Sequence, residues 1–208
     1  MRDETREARQ AQIEAAAYAV LEEKGYAGAS MLAIARRAKA SNETLYNWYG
    51  DKTGLFHALV RRNADEVRAM LGAQIAGGGD ALATLGRVGP ALLAVLTGER
   101  AVALNRAAAA DPTGELGRAI GQEGRETIAP LIGQLLEQAR AQGALAFGDL
   151  EAVREVYLGL LVGDTQIRRV IGRMEAPDEA ARTARGRLAL DLLGRLYAPG
   201  KRVLAGDR

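Results

Sequence analysis

The run from Ser41 to Phe56, Ser-Asn-Glu-Thr-Leu-Tyr-Asn-Trp-Tyr-Gly-Asp-Lys-Thr-Gly-Leu-Phe, holds the densest mixture of hydroxyl, carboxamide, phenol and indole groups in the chain. Ser41 suits a helix N-cap and Gly50 a helix end, so the spacing predicts a helix over 42–49. On that helix Leu45 and Tyr49, four residues apart, share one face and turn inward. Asn42, Thr44, Tyr46, Asn47 and Trp48 are left near the other face. Short donors and acceptors beside aromatic hydroxyl and indole groups suit phosphate oxygens and base edges better than a close-packed core. Asp51 caps the next helix and puts Lys52 in its first turn, where free amides and the helix dipole already favour an anion. The alternative for Tyr46 and Trp48 is plain packing on a neighbouring helix, and for Lys52 a solvated first-turn lysine.

Other chemistries are poorly supplied. The 208 residues contain no cysteine and a single histidine, His57. That removes disulfides, thiolate metal sites and cysteine nucleophiles, and it leaves no histidine cluster for a metal or a catalytic triad. Gly77-Gly78-Gly79 precedes no lysine and follows no strand, so it is no phosphate-cradling loop. His57 follows Phe56 on a helix and reads as a surface or packing residue. The sequence thus points away from an enzyme and calls for neither metal nor cofactor. No apolar run approaches the ~18 residues of a spanning helix, and the polar start Met1-Arg2-Asp3-Glu4 is unlike a signal peptide. The expected setting is cytoplasmic, with no membrane partner.

Charge says little in bulk, at a formal +2, and more locally. Lys24, Arg36, Arg37, Lys39 and Lys52 face only Glu43 and Asp51 across that stretch, a weak pointer to phosphate. Arg36 and Arg37 are equally compatible with simple solvation. Tyr18, Tyr26, Tyr46, Trp48, Tyr49 and Phe56 all precede residue 58, leaving Phe147, Tyr157 and Tyr197 for the rest. The two parts of the chain are therefore expected to do different jobs.

The elements that must position the 41–56 run are helices. Ile13, Ala16, Ala17, Val20 and Leu21 form one buried stripe at helical spacing within 5–24, stopped by Gly25. Ser30 caps a short helix over 31–38, with Ile34 and Ala35 inward. After 42–49, a longer helix carries Leu55, Phe56, Leu59, Val60 and Val67. Gly77-Gly78-Gly79-Asp80 reads as a linker. Beyond it, helices are expected over 81–97, 99–110, 112–122, 125–142, 149–173 and 177–198, and no strand alternation occurs. The predicted class is all-α: a three-helix helix-turn-helix head over 1–53 and a helical bundle over 54–208.

Residues 8 to 60 resemble the DNA-binding head of the TetR family of bacterial transcriptional regulators. The resemblance rests on Ser30 as second-helix cap, Ile34-Ala35, Ala38, Ser41, Thr44-Leu45-Tyr46, Tyr49, and Lys52 with Leu55-Phe56. It implies that Thr44, Tyr46, Trp48 and Lys52 contact the DNA backbone, that Asn42 and Asn47 read bases, and that Ser30 and Ser41 lie near phosphates. Arg36 and Lys39 join that candidate set. Two positions depart from the family pattern. Lys39 stands where glycine is usual, at a cost of roughly 1 kcal/mol if the backbone there is left-handed, and Ala40 replaces a larger aliphatic residue. Glu43 repels phosphate yet could accept from a cytosine amine.

The resemblance further implies a homodimer on a palindromic operator, released by a small-molecule effector. Dimerisation also has a signal in the residues. Val153, Val156, Leu160 and Ile167 form one stripe with Gly163 in its middle, while 177–198 is apolar on two sides, one carrying Leu188, Leu192 and Leu196. A helix apolar on two sides must be covered on two sides, by a partner subunit or within a deeply buried pair. For the effector, Asn105, Arg106, Asp164, Thr165 and Gln166 are polar groups set in apolar runs, beside Tyr157 and Leu161. Each polar group is a ligand contact, a structural network or an interface pair. The few aromatics in this part favour an aliphatic or compact effector. The competing reading is a helical scaffold or ligand-binding module that does not bind DNA.

Overall fold

The structure is a computed structural model that describes residues 2–200, with side chains from residue 6 onward. Every regular element among them is helical. In chain order they are α1 (Arg2–Gly28), α2 (Met31–Arg37), α3 (Asn42–Tyr49), α4 (Lys52–Ala76), α5 (Ala81–Thr97), α6 (Glu99–Ala109), α7 (Glu115–Ala119), α8 (Glu126–Ala141), α9 (Leu150–Val162), α10 (Thr165–Val170) and α11 (Glu179–Leu196). A π-helical turn, Ile120–Arg125, joins α7 to α8. No single helix among the described residues is long and apolar enough to cross a membrane.

The fold divides into two compact units, neither of them a continuous segment. The first holds the chain up to Ala64 together with Glu99–Arg125; the second holds Asp65–Gly98 and the chain from Glu126 on. The boundary falls inside α4, which therefore serves both. The core of the first unit is the stripe read from α1, namely Ile13, Ala16, Ala17, Val20 and Leu21. It meets Ile34 and Ala35 of α2, Leu45 of α3 and Leu55, Phe56, Leu59 and Val60 of α4. Leu104 and Ala107 of α6 and Leu116 and Ala119 of α7 complete it, so residues distant in sequence share the core of the head.

Local signals explain the ends of these helices. Gly25 adopts φ 65 and ψ 176 and interrupts α1 where a stop was expected; one further turn runs to Gly28. Ser30 and Ser41 accept from the amides of Ala33 and Thr44 and cap α2 and α3. The start signal at Asp111-Pro112 acts later than expected. Its carboxylate accepts from the amides of Thr113 and Leu116, and α7 begins only at Glu115 after Gly114 in the left-handed conformation. The expected helix over 112–122 is therefore a short α-helix followed by the π turn.

In the second unit α5 lies against α9 and α11. Small residues permit this: a Cβ on Gly186 would come within 3.0 Å of the Pro90 ring, and one on Gly89 within 3.0 Å of the Tyr157 hydroxyl. Tyr157 is buried and donates to the Leu85 carbonyl of α5 at 3.3 Å. The Gly77-Gly78-Gly79 stretch is a turn inside this unit, not a boundary between units; the Gln142 side chain bonds the Gly79 carbonyl at 2.8 Å and the Ala81 amide at 3.0 Å.

The continuous helix expected over 149–173 is two helices. Gly163, at φ 52 and ψ −133, ends α9, and α10 starts after Asp164. Only glycine suits that backbone, and a Cβ there would meet Arg185 Nη2 at 2.6 Å. Arg185 Nε instead donates to the Leu161 carbonyl, one of those orphaned by the break. The short α10 then caps the end of α5: Gln166 donates to the Leu96 carbonyl and the buried Arg169 to the Thr97 carbonyl. A cation at that negative helix end is favourable, and the Met174 carbonyl takes a second bond from Arg169.

Candidate nucleic-acid interface

The head presents one helix with a fixed inner face and a polar outer one. Leu45 is fully buried, and Tyr49 is packed against the same core. Those two anchors set the rotation of α3, which leaves Asn42, Tyr46 and Asn47 exposed and Thr44 half-buried. Tyr46 keeps 49% of its surface in the open, unusual for so large a ring. Trp48 is partly buried, its ring edge-on to Tyr49 at 6.4 Å and beneath the Arg6 guanidinium at 5.5 Å. Thr44 and Ser41 share a hydroxyl bond of 2.7 Å at the start of α3. Ser30, Ser41, Arg36, Lys39 and Glu43 are all exposed on α2, the turn and the first turn of α3.

The turn between α2 and α3 carries strain. Lys39 has φ 50, the one non-glycine residue at positive φ among those described, so the left-handed cost expected from the sequence applies. Arg9 Nη1 reaches the Lys39 carbonyl at 3.3 Å and braces the turn. Arg36 and Arg37 separate clearly: Arg37 is paired with Glu23 at 2.6 Å, on the side of α1.

Lys52 is partly engaged within the head. Its ammonium donates to the Tyr26 carbonyl at 3.0 Å and sits 4.3 Å from the Tyr26 ring centroid. An ammonium has three donors, so this fixes the charge at the start of α4 while leaving donors for an anion. Tyr26 in turn stands edge-on to Phe56 at 5.2 Å. Asp51 Oδ1 accepts from the Gly54 amide at 2.7 Å and caps α4. Gly54 is indispensable to the spacing of α3 and α4, because a Cβ there would lie 2.0 Å from the Tyr49 carbonyl oxygen.

Sequence reasoning passed over Tyr26, Gly54 and the pair Thr53–Glu115 (3.2 Å), which hold the start of α4 from three sides. A glycine in a first helical turn with no turn to make was the one signal for Gly54. Nothing in the sequence placed Glu115 near residue 53. His57 lies 3.9 Å from Glu123 of the π turn, which Arg61 also approaches at 3.7 Å.

The candidate effector residues fall into two groups. Asn105 and Arg106 sit on α6 in the first unit; Tyr157, Leu161, Asp164, Thr165 and Gln166 sit in the second. Asn105 donates to the Ala101 carbonyl of its own helix at 2.8 Å, and Gln166 is the α5 cap already described. Tyr157 and Leu161 are buried, Thr165 is half-buried and Asp164 is exposed. Among the candidate dimer residues, Val153 has no exposed surface and belongs to the core of its own unit. Val156, Leu160 and Leu192 are half-buried and Gly163 is exposed. Ile167 (55%), Leu188 (47%) and Leu196 (57%) stand open to solvent, as does Ile171.

Comparison with known proteins gives a consistent picture. Residues 13–59 match the profile of bacterial regulatory proteins of the tetR family, and residues 83–199 that of the AefR-like transcriptional repressor C-terminal domain. Among curated proteins none matches. Among solved structures, a TetR transcriptional regulator from Agrobacterium tumefaciens is 30% identical, with a TM-score of 0.73 over 93% of this chain and 96% of that one. A TetR-family regulator from Mesorhizobium loti is 25% identical, with a TM-score of 0.75 over 91% and 96%. FadR from Bacillus subtilis, solved with stearoyl-CoA, is 18% identical, with a TM-score of 0.72 over 88% and 96%, and shares the fold.

Proposed function

The chain belongs to the TetR family of bacterial transcriptional regulators, and from that premise we propose that it is a homodimeric, cytoplasmic repressor that leaves its operator when a small molecule binds. We assign DNA binding to residues 1–53 and ligand binding and dimerisation to 54–208. The observation that carries the reading is α3, locked inward by Leu45 and Tyr49 while Asn42, Tyr46 and Asn47 stay exposed. In the operator complex Asn42 and Asn47 read base edges. Ser30, Arg36, Lys39, Ser41, Thr44, Tyr46, Trp48 and Lys52 hold the backbone. Two copies of α3 held about one DNA turn apart, ~34–36 Å, enter successive major grooves of a palindrome. No catalytic step is part of this reading.

Ile167, Leu188 and Leu196, with the half-buried Val156, Leu160 and Leu192, form the surface that a second copy covers. An effector acts by favouring a different spacing of the two heads. A hundredfold loss of operator affinity needs roughly 2.7 kcal/mol of differential binding, a modest demand on one site. The test is fluorescence anisotropy with DNA from upstream of the protein's own gene. Binding that falls at least tenfold in Thr44→Ala/Tyr46→Ala supports the reading. Equal binding by the folded double variant, or none by the wild type to any genomic fragment, favours a helical ligand-binding module without DNA binding.

A further inference from the structure

We propose that Arg6 and Arg9, on the first helix, extend the DNA-contact surface as phosphate ligands beside the recognition helix. This rests on the reading of the head as a DNA-binding module. The two residues are three apart on α1, so they share a face, while Glu7 is rotated about 100° from Arg6. Both are exposed. Arg6 holds its guanidinium 5.5 Å from the centroid of the Trp48 ring of α3, a ring that is itself partly buried. Arg9 spends one nitrogen, Nη1, on the Lys39 carbonyl at 3.3 Å and the Gln12 carboxamide at 3.0 Å. The first helix thereby delivers two guanidinium groups to the turn and the helix that enter DNA.

Their surroundings set them apart from Arg37 and Arg62 of the same head. Arg37 is neutralised by Glu23, and Arg62 by Glu14. Among the residues whose side chains are described, Arg6 and Arg9 bond no carboxylate. A guanidinium with one edge on a ring face or a carbonyl keeps its other N–H groups in a fixed fork, suited to phosphate oxygens. Bracing the Lys39 carbonyl alone would need no charge, since a neutral donor serves a carbonyl. Charge with a fixed direction is what a phosphate ligand requires.

The experiment measures the affinity of the full-length protein for a fluorescent mixed-sequence DNA duplex across a salt series. Wild type is compared with Arg6→Gln, Arg9→Gln, the double variant and Arg87→Gln, a matched charge loss on α5. Removing one phosphate ligand lowers the slope of log affinity against log salt by about 0.9 per protomer, and the double variant lowers it by about twice that. Arg87→Gln keeps the wild-type slope. Arg6→Gln breaks no bond to the backbone and decides the matter alone if Arg9→Gln loosens the turn. A weaker affinity with an unchanged slope overturns the proposal, because the arginines then only brace Trp48 and Lys39. Salt-independent or absent binding by wild type overturns both this proposal and the DNA-binding reading.

Discussion

Tyr49 shows at the scale of one residue how the head trades stability for geometry. Its ring anchors α3, yet its hydroxyl is buried with no hydrogen-bond partner among the described residues. Burial, reinforced by the Glu14 carboxylate and opposed by Arg62 and Arg6, pushes that hydroxyl from 10.0 up to about 12. The unfolded chain therefore ionises first as pH climbs, and folding stability drains between pH 10 and 12. Tyr49→Phe removes the unsatisfied oxygen and keeps the anchor. It is expected to gain about 1 kcal/mol in denaturant unfolding at neutral pH and to flatten the alkaline loss. Equal stability of the two proteins at neutral pH, with the same decline on the alkaline side, would contradict this. The inward turn of Leu45 and Tyr49 was legible in the sequence, because i, i+4 spacing dictates it. The orphaned hydroxyl was not, since it depends on which side chains from α1 and α4 close over it.

Elements were legible where one stripe of apolar side chains marks one buried helix face. The α1 stripe and the α4 run Leu55-Phe56-Leu59-Val60 are buried as their periodicity requires. The reading failed where a backbone break hides inside a continuous apolar run. Gly163 was expected in the middle of one helix's apolar stripe; its positive φ instead splits α9 from α10 and turns Gln166 and Arg169 toward the end of α5. Two of the polar residues singled out as effector contacts, Asn105 and Gln166, thus spend side-chain donors on backbone carbonyls. Spacing also could not show that α6 and α7 complete the core of the head. Leu116, buried against it, is the place to test that. Leu116→Ala is expected to cost about 2–5 kcal/mol in urea unfolding and to weaken DNA binding, although residue 116 lies far along the chain from α3. A cost under about 1 kcal/mol would mean that the head core closes without α7.

For the molecule as a whole, a cover over the exposed aliphatic residues on α10, just past its end and on α11 is favourable. Ile167, Ile171, Leu188 and Leu196 each leave roughly half of their surface open to water. Ile167→Arg with Leu188→Arg is expected to give a monomer in sedimentation equilibrium and to lower operator affinity, since each head then binds a half-site alone. A dimer that survives both changes would place the interface elsewhere. Contact of α3 itself with DNA has a direct reporter, because Trp48 on that helix is the only tryptophan. The decisive measurement is its emission during titration with operator duplex, followed beside anisotropy at low and high salt. If α3 enters DNA, the emission changes and saturates together with anisotropy, reverses on adding salt, and stays constant in Thr44→Ala/Tyr46→Ala. Saturable binding by anisotropy with Trp48 emission unmoved would contradict it, placing the DNA on another surface of the protein.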